Sequence, residues 1–565
     1  MMDIKKSKLL HNTLILLTAM VVTKIVGAIF RIPLANILGG TGMGYYSSAY
    51  GLFSPVYAVT AAGIPTAMIN LVSANIAKKQ FYNAQKIKRV ALRLFGFFGL
   101  ISTLVMLVLA KPFSSIVTKM PESYLPILII SPTVLLCCIG GVYRGYFEGL
   151  NNMKPTAAVQ IIEACTKAVF GLSFSYGAIL WADYQYKSSG MVFGLAADSA
   201  EKAVRLAIPF AAGGAVLGVT FSEISAFLYL FIRSKMKDGI SKKQLLENPF
   251  SQSGIEISKL LIKETAPIGL SAVVMNFMSS IDILTVPRGI SNSILKNHEF
   301  FIRNYPQAIN SSNGLEGLGV FMYGSYTGIA ASLFMLIPAI ASMLDKSALP
   351  NIAAAFSQRD YKELNRNITI VFRGTLIMGF PLCFGLAAMA KPILALLYSS
   401  RPSEAQIALP LVQLLGIFGM FLIVTGVIFT VLQSIGRGDV PLKLMLLGIC
   451  IKWLGNIFLT PIPQINIKGA TFSTLFSYIV VFFIGFSILK REVKLDMDFK
   501  VIFLRPFLSA VFCVVSAKII WNLLNVITNS VFSLILSVST GAIIYILLLI
   551  FSKSIGIKSI IIKQK

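Results

Sequence analysis

Fourteen stretches of mostly apolar residues, each about twenty residues or longer, run through this chain of 565 residues, and nothing else in it constrains the fold as strongly. They lie near 9–30, 47–76, 92–110, 125–146, 156–180, 206–232, 265–286, 322–344, 368–390, 407–432, 440–460, 467–489, 502–522 and 531–551. A helix of that length spans the hydrocarbon core of a bilayer, and only helices or closed barrels satisfy their backbone groups there. Composition agrees: 56% of residues are hydrophobic, 13% are charged and the mean hydropathy is +0.78. A soluble enzyme carries about 25% charged residues, so that class is excluded. The expected fold is an all-α polytopic membrane protein with about 14 transmembrane helices. The first stretch reads as one of these helices, not a cleavable leader. It contains Lys24 and continues into Arg31-Ile32-Pro33 without a small-residue cleavage pattern.

The charge is lopsided, with 50 Lys+Arg against 23 Asp+Glu and a formal net charge of +27. An even number of helices puts both termini on one side. With the N-terminus cytoplasmic, 34 basic residues fall on cytoplasmic segments against 11 on external loops, and the rest lie in helices. That bias is the positive-inside pattern of a multi-pass protein in a bacterial-type inner membrane with both termini cytoplasmic. Anionic headgroups on that side are natural partners of the excess. Nucleic acid is not needed to explain it.

Four landmarks recur in order at an offset close to 280 residues. Ala77-Lys78-Lys79-Gln80-Phe81-Tyr82 answers to Phe356-Ser357-Gln358-Arg359-Asp360-Tyr361, and Ala110-Lys111-Pro112 to Ala390-Lys391-Pro392. Gly149-Leu150-Asn151-Asn152-Met153-Lys154-Pro155 answers to Gly436-Arg437-Gly438-Asp439-Val440-Pro441, and Lys167 to Lys452. The expected organisation is two six-helix lobes in parallel repeat: an N-lobe over 1–235, a basic cytoplasmic loop over 236–263 with Lys242 and Lys243, and a C-lobe over 264–490. Residues 491–565 add two helices, one of which carries Lys518, and a basic tail. Lobes of this kind rock about a path between them. Gly63, Pro65, Pro267 and Pro338 are the candidate gating bends, because membrane helices tolerate such residues where neighbours satisfy the freed backbone.

Charges inside spanning helices cost about 2.5–3.5 kcal/mol each on insertion scales, so each needs a reason. Lys24 and Arg31 are seven residues apart on the first helix, nearly two turns, and share a face with no acidic residue on that helix. They are the candidate substrate-binding cations, suited to a phosphate-bearing anion. Glu163 and Lys167 are four apart on the fifth helix, the spacing and order of a structural ion pair. Asp282 on the seventh helix and Lys452 on the eleventh are expected to meet inside the second lobe, as a structural pair or a coupling site for H+ or Na+. Glu223 on the sixth helix has no partner legible in the sequence.

The six cysteines all fall in apolar segments, there is no CxxC, and the only histidines are His11 and His298. Neither a zinc site nor a disulfide framework is expected. No Ser/His/Asp set, HExxH-like pattern or GxxxxGK[ST] loop is present, so the chain is not expected to be an enzyme, and no cofactor is expected. Transport without an ATPase motif draws on membrane potential, H+ or Na+.

Beyond these readings, the run Cys138-Ile139-Gly140-Gly141-Val142-Tyr143-Arg144-Gly145-Tyr146-Phe147-Glu148-Gly149-Leu150-Asn151-Asn152-Met153-Lys154-Pro155-Thr156-Ala157 resembles a known family. It is similar to the junction of helices 4 and 5 in the stage V sporulation protein B and lipid II flippase branch of polysaccharide transporters. That branch is part of the multidrug/oligosaccharidyl-lipid/polysaccharide superfamily. Lys24-Ile25-Val26-Gly27-Ala28-Ile29-Phe30-Arg31-Ile32-Pro33-Leu34, Ala62-Gly63-Ile64-Pro65-Thr66-Ala67, Ile281-Asp282-Ile283-Leu284-Thr285-Val286-Pro287-Arg288 and Val431-Leu432-Gln433-Ser434-Ile435-Gly436-Arg437 match the same pattern, which runs from about residue 8 to 490. The resemblance implies a V-shaped central cavity lined by helices 1, 2, 7 and 8, alternating access, and an undecaprenyl-pyrophosphate-linked glycan as cargo. Lys24 and Arg31 then correspond to cavity residues that meet the pyrophosphate. One departure concerns helix 8, where Tyr323-Gly324-Ser325-Tyr326 stands in place of the basic residue of the Gram-negative flippases. Two other readings compete. A cation-coupled drug exporter of the same superfamily would prefer acidic residues where Lys24 and Arg31 stand, and a membrane glycosyltransferase or glycan polymerase would need catalytic acids on external loops.

Overall fold

A computed structural model describes residues 2–236, 240–241, 245, 250–312, 314–493, 495, 497–525 and 530–552. Lys242 and Lys243 of the basic loop, and the tail after Ser552, lie outside the described residues. The chain is helical nearly throughout. Among the described residues, twelve helices are long and apolar enough to cross a membrane, or up to 13 with the bent pair Pro402–Phe418 and Met420–Ser434. Each of the fourteen apolar stretches falls on one of them. The first, Thr18–Ala77, is 60 residues long, about three times what one crossing requires, and takes in the second stretch and the latter part of the first. Large apolar side chains stand exposed along these helices, among them Phe97, Val108, Phe532, Ile543 and Phe551. Water does not tolerate apolar surface on that scale, whereas lipid requires it.

The chain gathers into two compact units, Met1–Arg288 and Gly289–Lys565. In the first, α1 (Met2–Thr60) is broken at Gly39, whose φ of 62° and ψ of −171° suit only glycine. Next come α2 (Ile64–Ala77), α3 (Phe81–Pro112), α4 (Tyr124–Ile130), α5 (Thr133–Gly149), α6 (Lys154–Ser189), α7 (Ala200–Met236) and α8 (Gly254–Lys296). The break between α4 and α5 falls at Ser131-Pro132, and hydroxyls fill the gap. Thr220 donates to the Ile129 carbonyl at 3.0 Å, and Thr103 to that of Ser131 at 3.3 Å.

Helices α6 and α7 pack through small residues. Ala203, Ala207, Ala211 and Ala215 are buried at four-residue spacing, and a side chain at Gly218 would fall onto the backbone of Gly171. The two helices are joined by a hairpin in which Met191 pairs with Ala196 and Val192 with Leu195. Its turn residues Phe193 and Gly194 both have positive φ, the primed geometry that fits strand twist. Gly218→Leu would force the two backbones apart. It should cost about 3 kcal/mol, read as a lowered melting temperature in detergent.

Helix α8 runs antiparallel to the second leg of α1 and to α2. A Cβ at Gly51 would lie 2.8 Å from Ile283, one at Gly269 3.2 Å from the Val59 carbonyl, and one at Gly63 2.6 Å from the Thr265 carbonyl. Gly63 caps α2, Pro65 stands in that helix's first turn, and the helical run is interrupted between Thr60 and Ile64. Pro267 lies inside α8 without a break in its helical run.

The second unit begins within α8 and continues through α9 (His298–Asn304), α10 (Pro306–Ser311) and α11 (Gly314–Ser325). It is completed by α12 (Ala331–Ser357), α13 (Tyr361–Ala388), α14 (Ala390–Leu397), α15 (Pro402–Phe418), α16 (Met420–Ser434), α17 (Asp439–Leu459), α18 (Lys468–Val493), α19 (Arg505–Leu524) and α20 (Ser530–Phe551). Pro338 lies within the run of α12. Helices α15 and α16 bend by 46° at Gly419. The aromatic rings of Phe380 and Phe384 on α13 meet Phe507 on α19, and Tyr545 of α20 donates to the Ile377 carbonyl at 2.7 Å.

The sequence landmarks share local conformation. Lys79 and Arg359 both sit in the left-handed region, at φ 58° and 57°, one residue before the N-caps Gln80 and Asp360. Asn151 and Gly436 do the same ahead of α6 and α17, at φ 57° and 81°. Non-glycine residues seldom adopt that conformation, so the match between Lys79 and Arg359 is specific.

Candidate functional site

The first leg of α1 carries Lys24 and Arg31. The second leg, beyond Gly39, carries Tyr46, Tyr50, Phe53 and Tyr57, whose rings touch in sequence at 5.0, 5.9 and 5.8 Å between centroids. Four-residue helical spacing sets most of that ladder. Lys24 is exposed, Arg31 half-buried and Tyr46 buried.

Helix α6 lies beside the first leg of α1 in parallel register. Thr23 donates to the Gln160 carbonyl at 3.4 Å, and seven residues further along both helices Phe30 faces Lys167, with the ammonium 5.4 Å from its ring. Arg31 therefore stands at the level of Lys167, and Lys24 about two turns nearer the start of both helices. Lys167 Nζ donates to Tyr50 Oη at 3.2 Å and lies 5.5 Å from the Tyr50 ring. Arg31 and Lys167 are both within electrostatic reach of Tyr46.

The expected Glu163–Lys167 pair does not form. Glu163 pairs instead with Arg144 of α5, and the same guanidinium reaches Glu223 of α7 at 3.8 Å. Spacing on one helix favoured Lys167, but a guanidinium from a neighbouring helix offers a planar fork that serves two carboxylates at once. Glu223, partnerless in sequence, thus finds its cation through the fold. Arg144 was the residue that sequence reasoning missed. It stands at the edge of an apolar stretch and counts there as a loop charge, but its place within Cys138–Ala157 could have marked it.

Asp282 and Lys452 are both buried, at 7% and 3% exposure, but Asp282 belongs to the first unit and Lys452 to the second. Lys518 is exposed on α19. Among the described residues, no group of three or more His, Cys, Asp or Glu side chains could hold a metal ion.

Residues 9–199 match the family described as Polysaccharide biosynthesis protein, and residues 321–542 match the family described as Lipid II flippase MurJ. Stage V sporulation protein B of Bacillus subtilis (strain 168) is 23% identical over 496 residues, 88% of this chain and 86% of that protein. The fold is similar to a solved lipid II flippase MurJ in an inward closed conformation. The TM-score is 0.64 at 13% identity, covering 95% of this chain and 98% of that one. An inward-facing multidrug resistance MATE family transporter gives a TM-score of 0.60 at 14% identity, over 83% of this chain and 94% of that one. At such identities the two structural likenesses concern the fold alone.

Proposed function

Because the chain belongs to the multidrug/oligosaccharidyl-lipid/polysaccharide flippase superfamily, we propose that it moves a polyprenyl-pyrophosphate-linked saccharide from the inner to the outer leaflet by alternating access. Lipid II or a related cell-wall or polysaccharide precursor is the cargo, and membrane potential, H+ or Na+ drives it. Members of this superfamily are transporters, not enzymes. The observation that carries the reading is the cationic face of α1. Lys24 and Arg31 share one side of the helix. A pyrophosphate brings at least two negative charges to such a face, and ammonium and guanidinium groups are its natural partners. An exporter of organic cations would need free carboxylates here, yet Glu163 and Glu223 are both engaged by Arg144. In the same reading both termini are cytoplasmic, and Asp282 and Lys452 serve structure or coupling.

The test uses purified protein in liposomes loaded with fluorescent lipid II on the inner leaflet. Chemical quenching from outside should rise with time in the presence of protein and stay flat in empty liposomes. If only organic cations crossed and labelled lipid II stayed inside, the exporter reading would replace this one.

A further inference from the structure

We infer that Lys167 is a phosphate-contacting residue, forming with Arg31 and the Tyr46–Tyr50 pair a two-cation site for the diphosphate of a lipid-linked substrate. The inference rests on the function proposed above and adds to it a residue whose sequence context pointed to structure.

The first ground is the absence of a counter-ion. Taking an ammonium out of water costs several kcal/mol unless it is paired. The carboxylate four residues away, Glu163, is held by Arg144, and among the described residues no carboxylate lies within ion-pair distance of Lys167. Glu223 acts on Lys167 only at longer range, through the edge of the Arg144 cluster. What surrounds Lys167 is the hydroxyls of two tyrosines, Tyr50 Oη at 3.2 Å and that of Tyr46 nearby, and the rings of Phe30 and Tyr50 at 5.4 and 5.5 Å. Rings attract a cation without neutralising it, and neutral hydroxyls leave its charge in place.

Register is the second ground. The contacts Thr23–Gln160 and Phe30–Lys167 place Arg31 and Lys167 at one level on adjacent helices, close enough that each cation feels the other. Two cations thus stand at one level on adjacent helices, both facing Tyr46. A ligand with two or more negative charges can meet both cations at once, whereas a neutral sugar or an alcohol cannot. The third ground is access: Lys167, Arg31 and Tyr50 are half-buried, not sealed in a core. The chemistry selected is a phosphate ester or diphosphate. Arg31 offers a fork, Lys167 a compact charge and the tyrosines neutral hydroxyls.

The experiment measures equilibrium binding of undecaprenyl diphosphate, with undecaprenol as the uncharged control, to the full chain in phosphatidylcholine nanodiscs. Wild type should prefer the diphosphate. Lys167→Met should weaken diphosphate binding by about tenfold or more and leave undecaprenol binding unchanged. Lys167→Arg should keep most of the affinity, and Tyr50→Phe should weaken it by a few-fold. Wild-type affinity in Lys167→Met, together with a loss in Arg31→Ala, would make Lys167 a structural cation and overturn the inference while leaving the proposed function standing. No preference for diphosphate over undecaprenol in wild type would remove both. Should Lys167→Met fail to fold, Tyr50→Phe decides alone, since it keeps the ring and drops only the hydroxyl; unchanged diphosphate binding there overturns the site.

Discussion

Arg144→Met is expected to destabilise the protein by about 3–5 kcal/mol. The magnitude follows from what the guanidinium holds. It pairs with Glu163 on α6, reaches Glu223 on α7 at 3.8 Å and itself stands on α5, so one cation ties three helices. The three side chains are 24%, 18% and 17% exposed, too buried for water to take over. Methionine matches the volume of the stem but leaves two carboxylates facing each other without a cation. Breaking a buried pair costs far more than replacing all its members, because the penalty lies in the charge left behind. Arg144→Met combined with Glu163→Gln and Glu223→Gln should therefore recover most of the lost stability. Thermal unfolding in one detergent, followed by circular dichroism, reads both. If the triple variant melted as low as Arg144→Met, the cluster would owe its effect to shape, not charge.

The same cluster shows where the sequence stops being informative. Long apolar runs are legible because the bilayer imposes length and composition residue by residue. The landmarks at Lys79 and Arg359 are legible because a left-handed turn before a helix has a local signature, and both segments do turn that way. Side-chain pairing is different. Glu163 has a cation at the favourable spacing on its own helix, and local reasoning stops at Lys167. The actual partner stands 19 residues earlier, on a helix brought alongside by tertiary packing. Moving Glu163 to Arg144 also changes the meaning of Lys167. A residue that looked neutralised becomes a cation among aromatic rings, and the candidate site grows from one helix to two. Glycine contacts were hidden for the same reason. Gly63 was legible as a bend, but the close approach of the Thr265 carbonyl belongs to α8, some two hundred residues later.

Lys24→Ala is expected to abolish complementation of a flippase-depleted strain, whereas Lys518→Ala should leave it intact. The comparison is controlled by the structure. Both lysines stand within apolar helices and both are exposed, so truncating either removes little packing, and surface changes of that kind shift stability by about 0.5 kcal/mol at most. They differ in company. Lys24 shares its helix face with Arg31, two turns from the level of Lys167, while Lys518 stands on α19, outside the repeated helices. Among the described residues no carboxylate pairs with Lys24, so its charge is available to a ligand. A charge-assisted hydrogen bond to phosphate contributes about 1.5–3 kcal/mol, which corresponds to roughly ten- to a hundredfold in affinity or flipping rate. Lys24→Arg keeps charge and reach and should retain much of the activity, whereas Lys24→Gln keeps the length and should not. Flipping rates in liposomes, taken beside melting temperatures, separate lost transport from lost folding. Full activity in a well-folded Lys24→Ala would remove the first helix's cations from the substrate path.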